Sequence, residues 1–130
     1  MSYIDDIKQE EGFSGTVYKC TEGFDTIGYG TKLPLTKEEA TLLLDYRMNK
    51  AKSELKSNLY NLEAPDEVWD ILYNMSYQLG VPGLMKFKNF IEALRAKDYS
   101  KASVEMLDSM WAKQTPNRAI RLSDRMKNIK

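Results

Sequence analysis

Apolar positions follow a helical rhythm at the start of the chain, lose it, and recover it from residue 36 onward. Ile4 and Ile7, three apart, share one face of a short helix expected over residues 3–11, and Gly12 is placed to end it. Between residues 13 and 31 the pattern changes. Phe13, Val17, Tyr18, Phe24, Ile27 and Tyr29 are interleaved with polar and small residues, and Gly15, Gly23, Gly28 and Gly30 punctuate them. A small antiparallel sheet with tight turns is expected there. Thr36-Lys37-Glu38-Glu39 has the spacing of a capping box, in which Thr36 bonds the backbone of Glu39 and Glu39 reaches back. Leu44, Met48, Ala51 and Leu55 then keep one helical face. Val68, Leu72, Met75 and Leu79 define a helix over residues 66–79, with Gly80 past its end and Val81-Pro82-Gly83 as a turn. Phe87, Phe90, Ile91 and Leu94 predict another helix; Ala102, Met106, Met110 and the adjacent Trp111 predict one more. Thr115-Pro116 opens the last, Thr as N-cap and Pro at the first helical position, and Ala119, Leu122, Met126 and Ile129 continue it.

The predicted class is α+β: a short N-terminal helix, a small antiparallel β-lobe over residues 13–35, and a mainly helical lobe over residues 36–130, all within one domain of 130 residues. A cleft between two such lobes is a natural seat for a polymeric substrate. The tryptophans and methionines at helical spacing read as core rather than as a cofactor box.

Charge narrows the set of partners. The 19 basic and 19 acidic side chains cancel, whereas nucleic-acid affinity is built on excess Lys and Arg. Steering toward an anionic wall would rest on a local patch such as Arg118, Arg121, Arg125, Lys127 and Lys130. The N-terminus lacks the basic and apolar regions of a secretory signal, and no stretch approaches the ~20 apolar residues of a membrane span. Without a heptad seam, a monomer is expected.

Two residue counts narrow the chemistry. Cys20 is the only cysteine, so no intramolecular disulfide forms and folding is compatible with a reducing compartment. Histidine is absent. Ser-His-Asp triads, Cys-His hydrolases and histidine zinc sites are thereby excluded, and acid–base work falls to carboxylates, helped by Cys, Tyr or Lys.

The run from Glu11 to Gly30 carries the chemistry. Glu11, Cys20 and Thr26 satisfy the pattern Glu, eight residues, Asp or Cys, five residues, Thr, flanked by Tyr18, Thr21-Glu22-Gly23 and Thr26-Ile27-Gly28-x-Gly30. This string resembles the catalytic region of phage lysozymes, particularly of the T-even type. Trp111-Ala-Lys-Gln114-Thr115-Pro116-Asn117-Arg118-Ala119 resembles a helix junction near the end of that family, and Asn74-Met75-x-x-Gln78-x-Gly80 is a looser match. The departures are a shorter middle between Thr31 and Asp66 and an early stop after Ile129.

The resemblance implies a muramidase, needing no cofactor or metal, that acts on the β-1,4 bond between N-acetylmuramic acid and N-acetylglucosamine of bacterial peptidoglycan. Glu11 is then the general acid, Cys20 and Thr26 position water, Gln78 lines the substrate cleft and Arg118 supports Glu11. It further implies an inverting reaction, and an endolysin made in the host cytoplasm that acts on the wall after holin-type release. Physical chemistry agrees in outline: glycoside cleavage needs an acid on the leaving oxygen and a second group across the sugar. Burial at the lobe boundary would keep Glu11 protonated, and Arg118 would oppose this. A thiol with a reference pKa of ~8.5 is a weak base at neutral pH unless a positive neighbour such as Lys19 lowers it. Glu22 and Asp25, the competing carboxylates, read as turn residues, and Glu10 lacks the spacing that selects Glu11. Phe24 and Tyr29 are expected to pack in the β-lobe. Cysteine in place of the commoner aspartate keeps a second reading open, a catalytically weakened peptidoglycan-binding homologue. A lytic transglycosylase and a purely structural domain are further alternatives.

Overall fold

The computed structural model describes residues 2–130. One compact unit runs to Leu44 and a second from Asp45 to Lys130.

The first unit begins with α1 (Tyr3–Glu11). Ser2 caps it by accepting from the Asp5 N–H, and Gly12 closes it through its own N–H to the Lys8 carbonyl at 2.9 Å. Three antiparallel strands follow in the order β1 (Ser14–Lys19), β2 (Asp25–Gly28), β3 (Thr31–Lys32). Tyr18 faces Thr26 and Lys19 faces Asp25, while the register shifts between Ser14 and Tyr18, so β1 carries a bulge there. Phe13 and Tyr29 pack ring against ring at 5.5 Å, and Lys32 lies over Phe24 at 5.0 Å, so both predicted packing aromatics make contacts inside the unit. The expected helix, its glycine stop and the sheet are all present.

α2 (Lys37–Asn58) crosses the unit boundary. Its capping box forms as its spacing predicts: Glu39 Oε1 accepts from the Thr36 N–H at 2.8 Å, and Thr36 Oγ1 accepts from the Glu39 N–H at 3.1 Å.

The second unit adds α3 (Asp66–Met85), α4 (Lys88–Arg95), α5 (Tyr99–Leu107), α6 (Met110–Gln114) and α7 (Pro116–Lys127). Its core joins Leu55, Val68, Leu72, Met75, Phe90, Leu94, Met106, Trp111, Leu122 and Met126, from the faces that the helical period selected, to Leu59 and Leu84, which it did not single out; Leu44, expected on one face with Leu55, is exposed. Among the described residues no helix is long and apolar enough to cross a membrane.

Three boundaries differ from expectation. Val81-Pro82-Gly83 is helical rather than a turn. Gly80 breaks α3 at φ +72°, ψ 156°, and the helix restarts at once with Pro82 in its first turn, where proline's missing N–H has no intrahelical partner to lose. The single helix expected through Met106, Met110 and Trp111 is two, because Ser109 interrupts it. Its hydroxyl donates to the Met106 carbonyl at 2.7 Å and accepts from the Ala112 N–H at 3.2 Å, ending α5 and capping α6. As a result Met110 is exposed while Trp111 is buried. Thr115 occupies the N-cap position of α7 without a side-chain cap bond; its hydroxyl instead donates to the Trp111 carbonyl at 3.0 Å and closes α6.

Candidate active site

The strand alternation of the first unit decides which groups meet. Side chains two apart along a strand share a face. Tyr18 and Cys20 therefore fall on one side of β1, opposite Thr26, while Lys19 falls on the other, opposite Asp25. Lys19 Nζ accordingly lies 2.7 Å from Asp25 Oδ1, and Lys32 Nζ lies 3.5 Å from Glu22 Oε2. Both competing carboxylates are thus held in exposed ion pairs, as their reading as turn residues implied. The help expected from Lys19 at Cys20 is not what the sheet provides.

Backbone amides replace it. Cys20 follows β1 and opens a turn closed by two bonds, Cys20 N–H to the Phe24 carbonyl and Gly23 N–H to the Cys20 carbonyl, each 2.9 Å. The half-buried thiol is held below its ordinary range, chiefly by hydrogen bonding from the Phe24 backbone, with further help from the Glu22 backbone and the Thr26 hydroxyl; desolvation and the Glu22 carboxylate work against this. Thr26 is buried, and its Oγ1 donates to the Phe24 carbonyl at 2.9 Å. A hydroxyl has one proton and two lone pairs, so Thr26 serves either that carbonyl or the sulfur as donor and retains acceptor capacity for water or for the thiol S–H.

Glu11 is the last residue of α1, and its carboxyl lies against Gly30. An open hollow of ≈ 250 Å³ adjoins it, lined by Glu11, Gly12, Phe13, Ser14 and Tyr18. Glu11 is solvent-exposed, so its own unit does not supply the burial that was expected to keep it protonated.

Gln78 and Arg118 belong to the second unit. Arg118 Nε donates to Asn74 Oδ1 at 2.8 Å and its Nη2 to the Asn74 carbonyl at 3.1 Å. Trp111 Nε1 donates to Gln78 Oε1 at 3.0 Å. Asn74 and Gln78, four residues apart, share a face of α3, and together they tie α3 to α6 and α7. Gln78 is exposed, and its amide nitrogen remains available as a donor. The structure therefore brings Cys20 to Thr26 in one unit, and joins Gln78 to Trp111 and Arg118 to Asn74 in the other. Sequence reasoning gave no role to Asn74 or to Gly30. The i, i+4 spacing of Asn74 and Gln78 was a usable signal for the first.

A larger hollow of ≈ 520 Å³ lies by the start of α3 and the end of α7. Two of its charged residues, Glu67 and Arg125, are bonded to each other at 2.7 Å, and none of the residues expected to carry chemistry reaches it.

A small antiparallel sheet bearing a thiol–hydroxyl pair, a preceding helix ending on a glutamate, and a helical core together make a lysozyme-like α+β protein. The chain belongs to the phage lysozyme family, whose model matches residues 8–128. It is 30% identical to the pre-baseplate central spike protein Gp5 of Enterobacteria phage T4 across 95% of this chain, and spans 27% of that protein's length. It is 28% identical to the probable T4-type lysozymes 1 and 2 of Dictyostelium discoideum, covering 93% of this chain and 91% of each of theirs. The alignment with the first of these extends over 156 residues, more than the 130 of this chain, so gaps fall in this chain.

Proposed function

We propose that this protein hydrolyses the β-1,4 bond between N-acetylmuramic acid and N-acetylglucosamine in peptidoglycan. Glu11 protonates the leaving oxygen, and Cys20 with Thr26 holds the water that completes the reaction. Gln78, with its free amide donor, binds the glycan from α3, and Arg118 is a supporting residue. The protein's own side chains suffice for this acid–base chemistry without a cofactor. Release from the host cytoplasm through a holin-type pore is the setting proposed for an endolysin. The relative named as a phage spike protein makes a particle-borne lysozyme the second setting.

The observation that carries the reading is that the sheet register puts Cys20 and Thr26 on one face, at the family's spacing from Glu11. An ionised sulfur supplies an acceptor where the commoner aspartate supplies a carboxylate oxygen. The same substitution favours the second reading, a weakened homologue that binds peptidoglycan and cleaves it slowly or not at all.

Digestion of purified peptidoglycan, with products identified by mass, separates these. Muropeptides with new reducing ends are expected. Anhydro-sugar products would indicate a transglycosylase, and binding without products would favour the weakened homologue.

A further inference from the structure

Four glycines of the first unit, Gly12, Gly23, Gly28 and Gly30, adopt positive φ between 69° and 86°. Backbone conformation explains glycine at all four. A second requirement separates Gly30 from the rest. A Cβ at Gly12, Gly23 or Gly28 would meet nothing within 4 Å. A Cβ at Gly30 would stand 2.5 Å from Glu11 Oε2, 2.9 Å from Cδ and 3.2 Å from Cγ. All three atoms belong to the side chain proposed as the general acid. The space left by the absent side chain in the turn between β2 and β3 is where that carboxyl rests.

We propose that Gly30 is a positioning residue for the Glu11 carboxyl. Its kinetic consequence rests on the muramidase reading; the seat itself does not. A methyl group at residue 30 meets the far end of a flexible side chain, which yields more readily than backbone. The expected response is therefore a changed Glu11 rotamer with the sheet intact. Misplacing a reacting group by about 1 Å is enough to cost on the order of 10²-fold in rate.

Gly28→Ala supplies the matched control, because it imposes similar left-handed strain with open space around the new methyl. Crystal structures of Gly30→Ala and Gly28→Ala, with steady-state kinetics on peptidoglycan, test the proposal. Gly30→Ala is expected to displace the Glu11 carboxyl and lower kcat about tenfold or more relative to Gly28→Ala, with KM changed less than about twofold. A carboxyl left in place would overturn the proposal, as would a displaced carboxyl with kcat equal to the control. Should the native chain cleave no peptidoglycan, the muramidase reading fails, while the crystal structures still decide the seat. Should Gly30→Ala fold poorly, its drop in Tm is measured again in a Glu11→Ala background. Relief of the collision makes the drop smaller there, and an equal drop contradicts the seat.

Discussion

Cys20 and Thr26 share one face of the sheet, while Lys19, next to Cys20 in sequence, is held on the opposite face by Asp25. The environment of the thiol is therefore made of dipoles rather than of a neighbouring cation. Hydrogen bonding from the Phe24 and Glu22 backbone lowers the thiol's pKa, because such donors favour the thiolate. Thiolate absorbance followed against pH should show Cys20 titrating below the ~8.5 of a free thiol, and Thr26→Val should move the midpoint upward. A midpoint at or above the free value would contradict this geometry. The activity of the native chain should still have its optimum at higher pH than that of Cys20→Asp, since a carboxylate ionises near pH ~4. Identical profiles would exclude the sulfur from the chemistry.

Asn74 holds Arg118 through both its side chain and its backbone carbonyl. Asn74→Ala removes the side-chain acceptor of a half-buried guanidinium. Hydrogen bonds to charged groups contribute about 1.5–3 kcal/mol, and partial exposure of Arg118 reduces the expected loss to about 1–2 kcal/mol in urea unfolding. No change in the urea midpoint would mean that the Asn74 side-chain bond adds nothing to the seam between α3 and α7.

How far the sequence discloses this molecule depends on the kind of signal. Periodicity located the helical core, because the residues it selects are those whose burial removes most apolar area from water. The capping box at Thr36 and Glu39 was legible because two reciprocal bonds fix both residue types at one spacing. The break at Ser109 was not, because a serine inside an apolar period reads as a tolerated polar residue until its hydroxyl is seen to end one helix and start the next. The family's spacing singled out Glu11, Cys20 and Thr26 together, whereas whether Lys19 acts on the thiol was not legible from its place next to Cys20. Adjacent strand residues face opposite sides, and only the register shows which partner each one meets. The Glu11–Gly30 contact joins residues 19 positions apart through a turn conformation, so no local pattern encodes it.

Gly80 joins the two segments of α3 at φ +72°. With ψ at 156° this region is open essentially to glycine alone, and an L-residue held there costs on the order of 1–3 kcal/mol, so Gly80→Ala should lower stability by about that amount. Gly83→Ala, at a helical position, should lower it less. Equal losses in thermal denaturation would mean that close packing rather than backbone conformation selects glycine at residue 80.

Acid should weaken the fold through two identified carboxylates. Glu39 is held below the usual carboxylate range by hydrogen bonds from the Thr36 backbone and hydroxyl, and Glu67 by its hydrogen bond from Arg125. Both folded-state values lie below the unfolded value of ~4.3. Their contribution is therefore fully present above that pH and is lost as pH falls through the folded values. Tm measured from pH ~6 down to pH ~2 should decline below about pH 4.3. The decline should be shallower in the Glu39→Gln, Glu67→Gln double variant. An unchanged slope would place acid sensitivity in other carboxylates.

The central claim is that Glu11 is the acid of a peptidoglycan hydrolase, and Glu11→Gln tests it most directly because the amide keeps size and shape while removing the transferable proton. The measurement is the initial rate of reducing-end release from purified peptidoglycan, with sedimentation of the protein on the same material as the binding control. A fall of about 10²–10⁴-fold with binding retained is the expected result. A rate within a few-fold of the native chain would contradict the assignment.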